Sequence, residues 1–305
     1  MQVLSTGEKK ALYVLNIIFE VEAREKAGQE TLLVFDDIAD SFDYKNKYAI
    51  IQYMKDIAEE PHFCQMILTH NFDYFRTINS RFVQYSHCLM ASRSATGITL
   101  AQAAGIRNVF ANDWRPNYFT DARKRIASIP FMRNLIEYTA GTTDNRYATL
   151  TSLLHWKPGS ADITQADVDA IYNSLFGPGG PSDDGDAKVV DLVHEEAGKC
   201  LHAGDGINLE NKIVLSMAIR LAAERHMVET IADDAFVAAI AANQTPTLLT
   251  KYREVAGGNG SIDILQRVIL MTPENIHLNS FMYEPILDMS DEHLRKLYED
   301  VLTLK

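Results

Sequence analysis

Carboxylates and a histidine directly follow two short apolar runs near the start of the chain. Asp36 and Asp37 end the run that begins at Thr31, and His70 follows the run Gln65–Thr69. Short apolar runs that end in polar residues are typical of buried parallel strands, whose carboxyl ends meet at one edge of a sheet. Paired carboxylates at such an edge can hold a hard cation such as Mg²⁺, and the burial of two adjacent acids is costly without a cation. The alternative is structural: the acids form a turn or a helix cap, and the histidine is a hydrogen-bonding partner.

A helix N-terminus precedes the first of these runs. The segment Ser5-Thr6-Gly7-Glu8 has the spacing of a capping box, apolar residues then recur at helical spacing, and Gly28 can end the helix. The free N–H groups and the positive dipole end of such a helix are suited to phosphate. By itself the same pattern also fits a capped surface helix.

In this order the segments resemble the C-terminal half of an ATP-binding-cassette (ABC) ATPase. The corresponding motifs are a signature motif at Leu4–Glu8, a Walker B strand at Leu32–Asp37, a D-loop at Ile38–Asp43 and a switch histidine at His70. The resemblance is to the SMC-like ATPases of bacterial phage defence and of anticodon-nuclease systems. It implies a partial P-loop NTPase fold, hydrolysis of ATP with Mg²⁺, and a homodimer formed through the ATP sites.

The resemblance also implies a role for each site residue. Asp36 would hold Mg²⁺, Asp37 would take the place of the catalytic base or water-polarising residue, and His70 would contact the γ-phosphate. Many relatives carry Glu at the position of Asp37, and Asp is one methylene shorter. The cofactor-binding residues implied in the same way, at the signature helix and the D-loop, are Ser5, Thr6, Gly7 and Asp43.

A Walker A phosphate loop, Gly-x4-Gly-Lys-Ser/Thr, does not occur in the sequence. Of the 16 glycines only Gly198 precedes a lysine, and Val193 and Cys200 stand where the loop needs a glycine and a Ser or Thr. In the family this loop lies in the N-terminal lobe. We therefore expect a chain cut from something longer, with the N-terminal ATPase lobe as its missing partner, and we expect no ATP hydrolysis by the isolated chain.

The predicted elements divide the chain into a mixed α/β lobe, residues 1–110, and an all-α domain, residues 111–305. Within the lobe a helix is predicted over Tyr44–Glu59, and further strands are predicted over Phe82–Cys88 and Gly97–Ala101.

The elements of residues 111–305 are predicted from the helical spacing of their apolar residues. One long helix is expected over Leu209–Thr230, and the breaker-rich segment Gly177–Asp186 predicts a surface loop or hinge.

The helical domain supports two further hypotheses about function. Arg220 and Glu224 lie four residues apart, and with the distant His277 they resemble the Arg-x3-Glu and His pattern of ATPase-linked anticodon nucleases. His, Glu and Arg can supply the acid, base and cation of metal-independent RNA cleavage. Alternatively, Arg220 and Glu224 are a surface pair beside a buried histidine. In a third interpretation Tyr283–Asp288 and the amphipathic His293–Tyr298 bind a partner effector or pack on the core.

Composition and charge narrow the classes of function that the sequence allows. The 305 residues carry a formal charge of −12, which argues against nucleic-acid binding by overall charge and leaves a local basic groove, for tRNA for example, open. Three cysteines without a CxxC pair favour neither a disulfide framework nor a thiolate zinc site, and they fit a reducing cytoplasm. No signal peptide or membrane-length apolar run is visible, so a cytoplasmic protein without a membrane partner is expected.

Overall fold

The structure is a computed structural model that describes residues 6–38, 44–94, 97–103, 109–202, 209–257, 260–272 and 291–304. It is mostly helical, with two small sheets, as the mixed α/β and helical prediction requires. The chain forms two compact units, residues 1–89 and 90–305. Each unit is a set of residues that pack closely together, which does not show where a functional domain ends. The predicted domain boundary at residue 110 therefore stays a prediction.

The first unit alternates helices with strands. The elements in chain order are α1 (Thr6–Lys26), β1 (Thr31–Asp36), α2 (Tyr44–Ala58), β2 (Phe63–Leu68) and α3 (Phe72–Asn79). The predicted helices and strands before residue 70 are therefore confirmed to within a few residues. The strands pair in parallel from Thr31 opposite Phe63 to Asp36 opposite Leu68, with α2 as the crossover.

Only one face of this parallel sheet is covered within the described residues. Phe35 and Ile67 pack against a small core of α2 and α3 residues, namely Ile51, Met54, Tyr74 and Ile78. The opposite face exposes the apolar side chains of Leu32, Val34, Met66 and Leu68. The prediction of fully buried strands is thus wrong for this structure, because helices cover a single side of the sheet.

The predicted strand Phe82–Cys88 is also wrong. Backbone N–H groups of His87 and Cys88 donate to the carbonyls of Gln84 and Tyr85, so this segment turns as a short 3₁₀ helix at Tyr85–His87. The strand starts afterwards: β3 (Leu89–Ser94) and β4 (Gly97–Gln102) form the second two-stranded sheet. The predicted strand at Gly97 is confirmed.

Helices dominate the second unit, as predicted. They are α4 (Ala122–Ala140), α5 (Asn145–Thr151), α6 (Gln165–Phe176), α7 (Val189–Cys200), α8 (Leu209–Ile231), α9 (Asp234–Ala239), α10 (Gln244–Ala256), α11 (Ser261–Met271) and α12 (Asp291–Leu302). The long α8 is buried along most of its length and contacts α4, α7, α10, α11 and α12. The amphipathic face of α12, with Leu294, Leu297 and Tyr298, therefore packs on the core of this unit.

The Gly/Pro-rich segment between α6 and α7 is docked rather than hinge-like. The backbone N–H groups of Gly179 and Ser182 donate to Asn173 Oδ1 at 2.9 Å and to Asp169 Oδ2 at 2.7 Å. A Cβ on Gly179 would collide with the Phe119 ring, so the close approach of this ring favours glycine here. These contacts fix the loop to α6.

Candidate active site in the first unit

Asp37 and His70 meet at the carboxyl ends of β1 and β2. The N–H of Asp37 donates to the carbonyl of Leu68 at 3.0 Å, which continues the pairing one residue beyond the strands. Asp37 then adopts a left-handed backbone with φ of +46°. Such a φ is uncommon for residues other than glycine, and Asp and Asn are among the side chains that tolerate it best. The chain therefore bends sharply where the predicted catalytic carboxylate stands.

One oxygen of Asp37 contacts His70 twice. Asp37 Oδ1 lies 2.9 Å from His70 Nδ1 and accepts a hydrogen bond from the backbone N–H of His70 at 3.2 Å. The side chains keep 44% and 62% of their surface exposed, so a ligand can reach them from solvent. The structure thus brings together, across 33 residues of sequence, the two residues to which the sequence analysis assigns catalysis.

The turn that carries His70 is held by its two neighbours. The Asn71 N–H donates to Thr69 Oγ1 at 3.0 Å, and Asn71 Oδ1 accepts from the Tyr74 N–H at 2.8 Å as the N-cap of α3. Neither Thr69 nor Asn71 was assigned a role from the sequence. An Asn placed just before an amphipathic helix is an N-cap signal that could have identified the second of them.

Asp36 ends β1 with an exposed side chain. Burial of two adjacent acids was one reason to expect a cation here, and the exposure of Asp36 and partial exposure of Asp37 remove that reason. Within the described residues no group of three or more His, Cys, Asp or Glu side chains could hold a metal ion. Mg²⁺ in nucleotide sites takes one or two carboxylates together with phosphate oxygens and waters, so Asp36 fits such a site as a single protein ligand.

The remaining predicted site residues are only partly described. The predicted first helix is present and begins at Thr6, followed by Gly7. Ser5 and Asp43 lie outside the described residues, so the cofactor-binding roles of these four residues stay predictions.

In the second unit, Arg220 and Glu224 are completely buried on α8. The Glu224 carboxylate accepts hydrogen bonds from the Trp156 N–H at 2.7 Å and from the side chains of Gln244 and Thr245 at 2.8 and 2.7 Å. It also lies 2.9 Å from His155 Nδ1.

The pKa of Glu224 reflects both its burial and its hydrogen bonds. Burial alone would raise the pKa of Glu224, but the nearby His155 and Arg220 charges and the hydrogen bonds hold it below its ordinary value. Arg220 donates through Nη2 to the carbonyl of Thr272 at 2.6 Å. Within the described residues, the two side chains tie α8 to three neighbouring segments.

The predicted nuclease triad is therefore brought together only in part. Arg220 and Glu224 form a buried pair rather than the surface pair considered from sequence, and His277 lies outside the described residues. The histidine that Glu224 does contact, His155, was missed. No local pattern signals a contact between residues 69 positions apart.

In comparisons with known proteins, no family model, no curated protein and no solved structure matches the chain. Among the residues that the structure describes, no helix is both long enough and apolar enough to cross a membrane.

Proposed function

We propose that the chain is the C-terminal lobe of an ABC-type ATPase that hydrolyses ATP when a lobe with a Walker A loop joins it. The observation that carries this proposal is the contact of 2.9 Å between Asp37 and His70 at the carboxyl ends of adjacent parallel strands. Ligands of open α/β sheets bind at that edge. A homodimer and a role in phage defence rest on the motif resemblance alone.

The side chains divide the chemistry between them. Asp37 Oδ1 is engaged by His70, so Oδ2 is the oxygen that accepts a proton from an attacking water. His70 Nδ1 faces Asp37, so Nε2 is the nitrogen through which His70 would act on the γ-phosphate or the water. Asp36 would hold Mg²⁺, which when bound neutralises charge on the phosphates. The nucleotide itself would be held chiefly by the Walker A loop of the other lobe.

The exposed sheet supports the need for that other lobe. Parallel sheets occur almost only with both faces covered, and a two-stranded sheet is marginal by itself. Here the face of Leu32, Val34, Met66 and Leu68 is open in the part of the chain that the structure describes. A lobe that extends the sheet beside β1 or β2 and packs a helix on this face would bury it and bring a phosphate loop to the carboxyl edge.

The experiment is a comparison of the chain alone with the chain in complex with a Walker A lobe, encoded upstream in the same reading frame or beside it. Calorimetry on the isolated chain should show no ATP binding at sub-millimolar concentration, and phosphate release should stay at background. The complex should bind ATP and hydrolyse it only with Mg²⁺. Micromolar binding and hydrolysis by the isolated chain, or an inactive complex with folded lobes, would contradict the proposal.

RNA cleavage by the helical domain and docking of a partner effector are the alternatives for the second unit. The contact between Glu224 and His155 Nδ1 favours RNA cleavage, because a carboxylate can orient an imidazole for acid–base chemistry. Complete burial of Arg220 and Glu224 favours a packing role for both. Cleavage of tRNA by the intact protein, and its loss in His277→Ala, would support the nuclease.

A further inference from the structure

We propose that Asn71 is a positioning residue that sets His70 against Asp37. Its consequence for catalysis rests on the proposed ATPase function, whereas its effect on the geometry of His70 does not. Asn71 follows His70 directly and has an extended backbone, with φ of −85° and ψ of 107°. Its side chain joins the turn that carries His70 to the first residues of α3.

The first step is that α3 provides a fixed support. Tyr74, in its first turn, is buried, and its hydroxyl lies 3.2 Å from Met54 Sδ on α2. Ile78, one turn later, is buried in the same core. Phe35 and Ile67 of the sheet pack against the cluster to which Tyr74 and Ile78 belong, so the start of α3 is held relative to β1 and β2.

The second step is that Asn71 transmits this position to the turn. Its Oδ1 accepts from the Tyr74 N–H at 2.8 Å, and its own N–H donates to Thr69 Oγ1 at 3.0 Å. His70 lies between Thr69 and Asn71 in the chain, within the turn that the second of these hydrogen bonds closes. Because Asn71 is bonded on both sides, the direction in which the His70 backbone N–H and ring leave the chain is fixed.

The third step is that the contact between His70 and Asp37 depends on where the turn places His70. The backbone bond from His70 to Asp37 Oδ1 is 3.2 Å long, near the upper limit for an N–H donor. Both side chains are substantially exposed to solvent. A shift of the turn by a fraction of an ångström would weaken both contacts with Asp37 together.

The test uses the isolated chain and ¹⁵N NMR of the histidine ring nitrogens. A neutral ring held by Asp37 carries its proton on Nδ1, so at alkaline pH, where the imidazole is neutral, the two nitrogens of His70 should give well-separated resonances. Asn71→Ala removes the cap, and we expect the His70 resonances to move toward those of an unrestrained histidine. Asn71→Ser keeps an uncharged capping oxygen, so it should restore the wild-type pattern.

A matched control separates this effect from the general loss of a helix cap. Asp233 caps α9 in the second unit through a bond of 2.9 Å from the Phe236 N–H. Asp233→Ala should therefore leave the His70 resonances unchanged. Wild-type resonances in Asn71→Ala, or no recovery in a folded Asn71→Ser variant, would overturn the positioning role whether or not the complex is an ATPase.

The kinetic consequence is tested in the ATPase complex. Misplacement of a catalytic group by about 1 Å can cost up to roughly a hundredfold in rate. We expect Asn71→Ala to lower kcat by about tenfold or more with little change in KM, and Asn71→Ser to recover most of it. A changed NMR pattern with unchanged kcat would refute the catalytic consequence; an inactive wild-type complex would instead count against the ATPase function.

Discussion

At the scale of single residues, the short side chain of Asp37 is matched to its backbone. The left-handed φ of +46° suits Asp and Asn better than longer side chains. From this position Oδ1 already reaches His70 at 2.9 Å. The structure thus offers a physical reason for a short carboxylate at this position.

We predict that Asp37→Glu is worse than Asp37→Asn for stability, although Glu is the commoner residue of the family that the chain resembles. Asn retains the tolerance for a left-handed backbone, whereas Glu should cost about 1 kcal/mol. Thermal unfolding of the isolated chain measures the difference. Equal stability of the two variants would show that the backbone of Asp37 does not select its side chain.

Single residues also show where sequence reasoning succeeds. Asp37 and His70 could be predicted to lie together because each comes after a strand, and the carboxyl ends of parallel strands meet. His155 could not, since its contact with Glu224 depends on how the loop after α5 packs on α8. Periodicity identifies elements and carries no information about such tertiary contacts.

At the scale of elements, helical spacing of apolar residues predicted α1 and α8 well, and short apolar runs that end in polar residues predicted β1 and β2. The segment before β3 was misassigned because a 3₁₀ turn of Tyr85–His87 sits inside a run of strand-forming residues. The sequence also did not predict that one face of the sheet of β1 and β2 is exposed. An apolar run indicates burial in the complete fold and does not say which polypeptide covers it.

Helices α7 and α8 of the second unit contain histidines that burial keeps neutral. His194 lies 3.1 Å from the Tyr298 hydroxyl, and His226 lies 3.0 Å from the Tyr252 hydroxyl. Burial lowers the pKa of each imidazole below its ordinary value. The unfolded chain therefore takes up protons first as the pH falls, and stability present above pH about 6.5 is lost below it.

We predict that thermal stability of the second unit falls between pH 7 and pH 5, and that His194→Gln reduces this fall. The contribution of His194 is about 1.4 kcal/mol for each pH unit by which its pKa is lowered. His202→Gln, at an exposed histidine, is the control and should keep the wild-type slope. An unchanged slope in His194→Gln would show that His194 is not the titrating group.

At the scale of the whole molecule, the two units differ in how well they cover their own apolar surface. The second unit has a buried central helix, α8, surrounded by five others. The first unit leaves the sheet face of Leu32, Val34, Met66 and Leu68 open within the described residues. A contiguous apolar face is typical of an interaction surface, and here the proposed Walker A lobe would cover it.

We predict that Val34→Asp prevents assembly with the Walker A lobe while it leaves the isolated chain folded. Val34 is 54% exposed in the chain alone, so its replacement should change the free energy of unfolding by less than about 0.5 kcal/mol. Gln29→Asp adds the same charge in the exposed turn before β1 and should assemble normally. Size-exclusion chromatography of the mixed lobes measures assembly, and normal assembly of Val34→Asp would place the interface elsewhere.

The central claim is that Asp37 and His70 together activate water for ATP hydrolysis, and Asp37→Asn in the assembled ATPase tests it most directly. The amide keeps the size and backbone preference of Asp37 but cannot take a proton from water. Phosphate release should be abolished while ATP binding is retained, and Asp36→Ala should instead weaken Mg²⁺-dependent binding. Glu59→Gln, at an exposed carboxylate of the same unit, should hydrolyse ATP normally. Wild-type turnover by Asp37→Asn would contradict the assignment of the site.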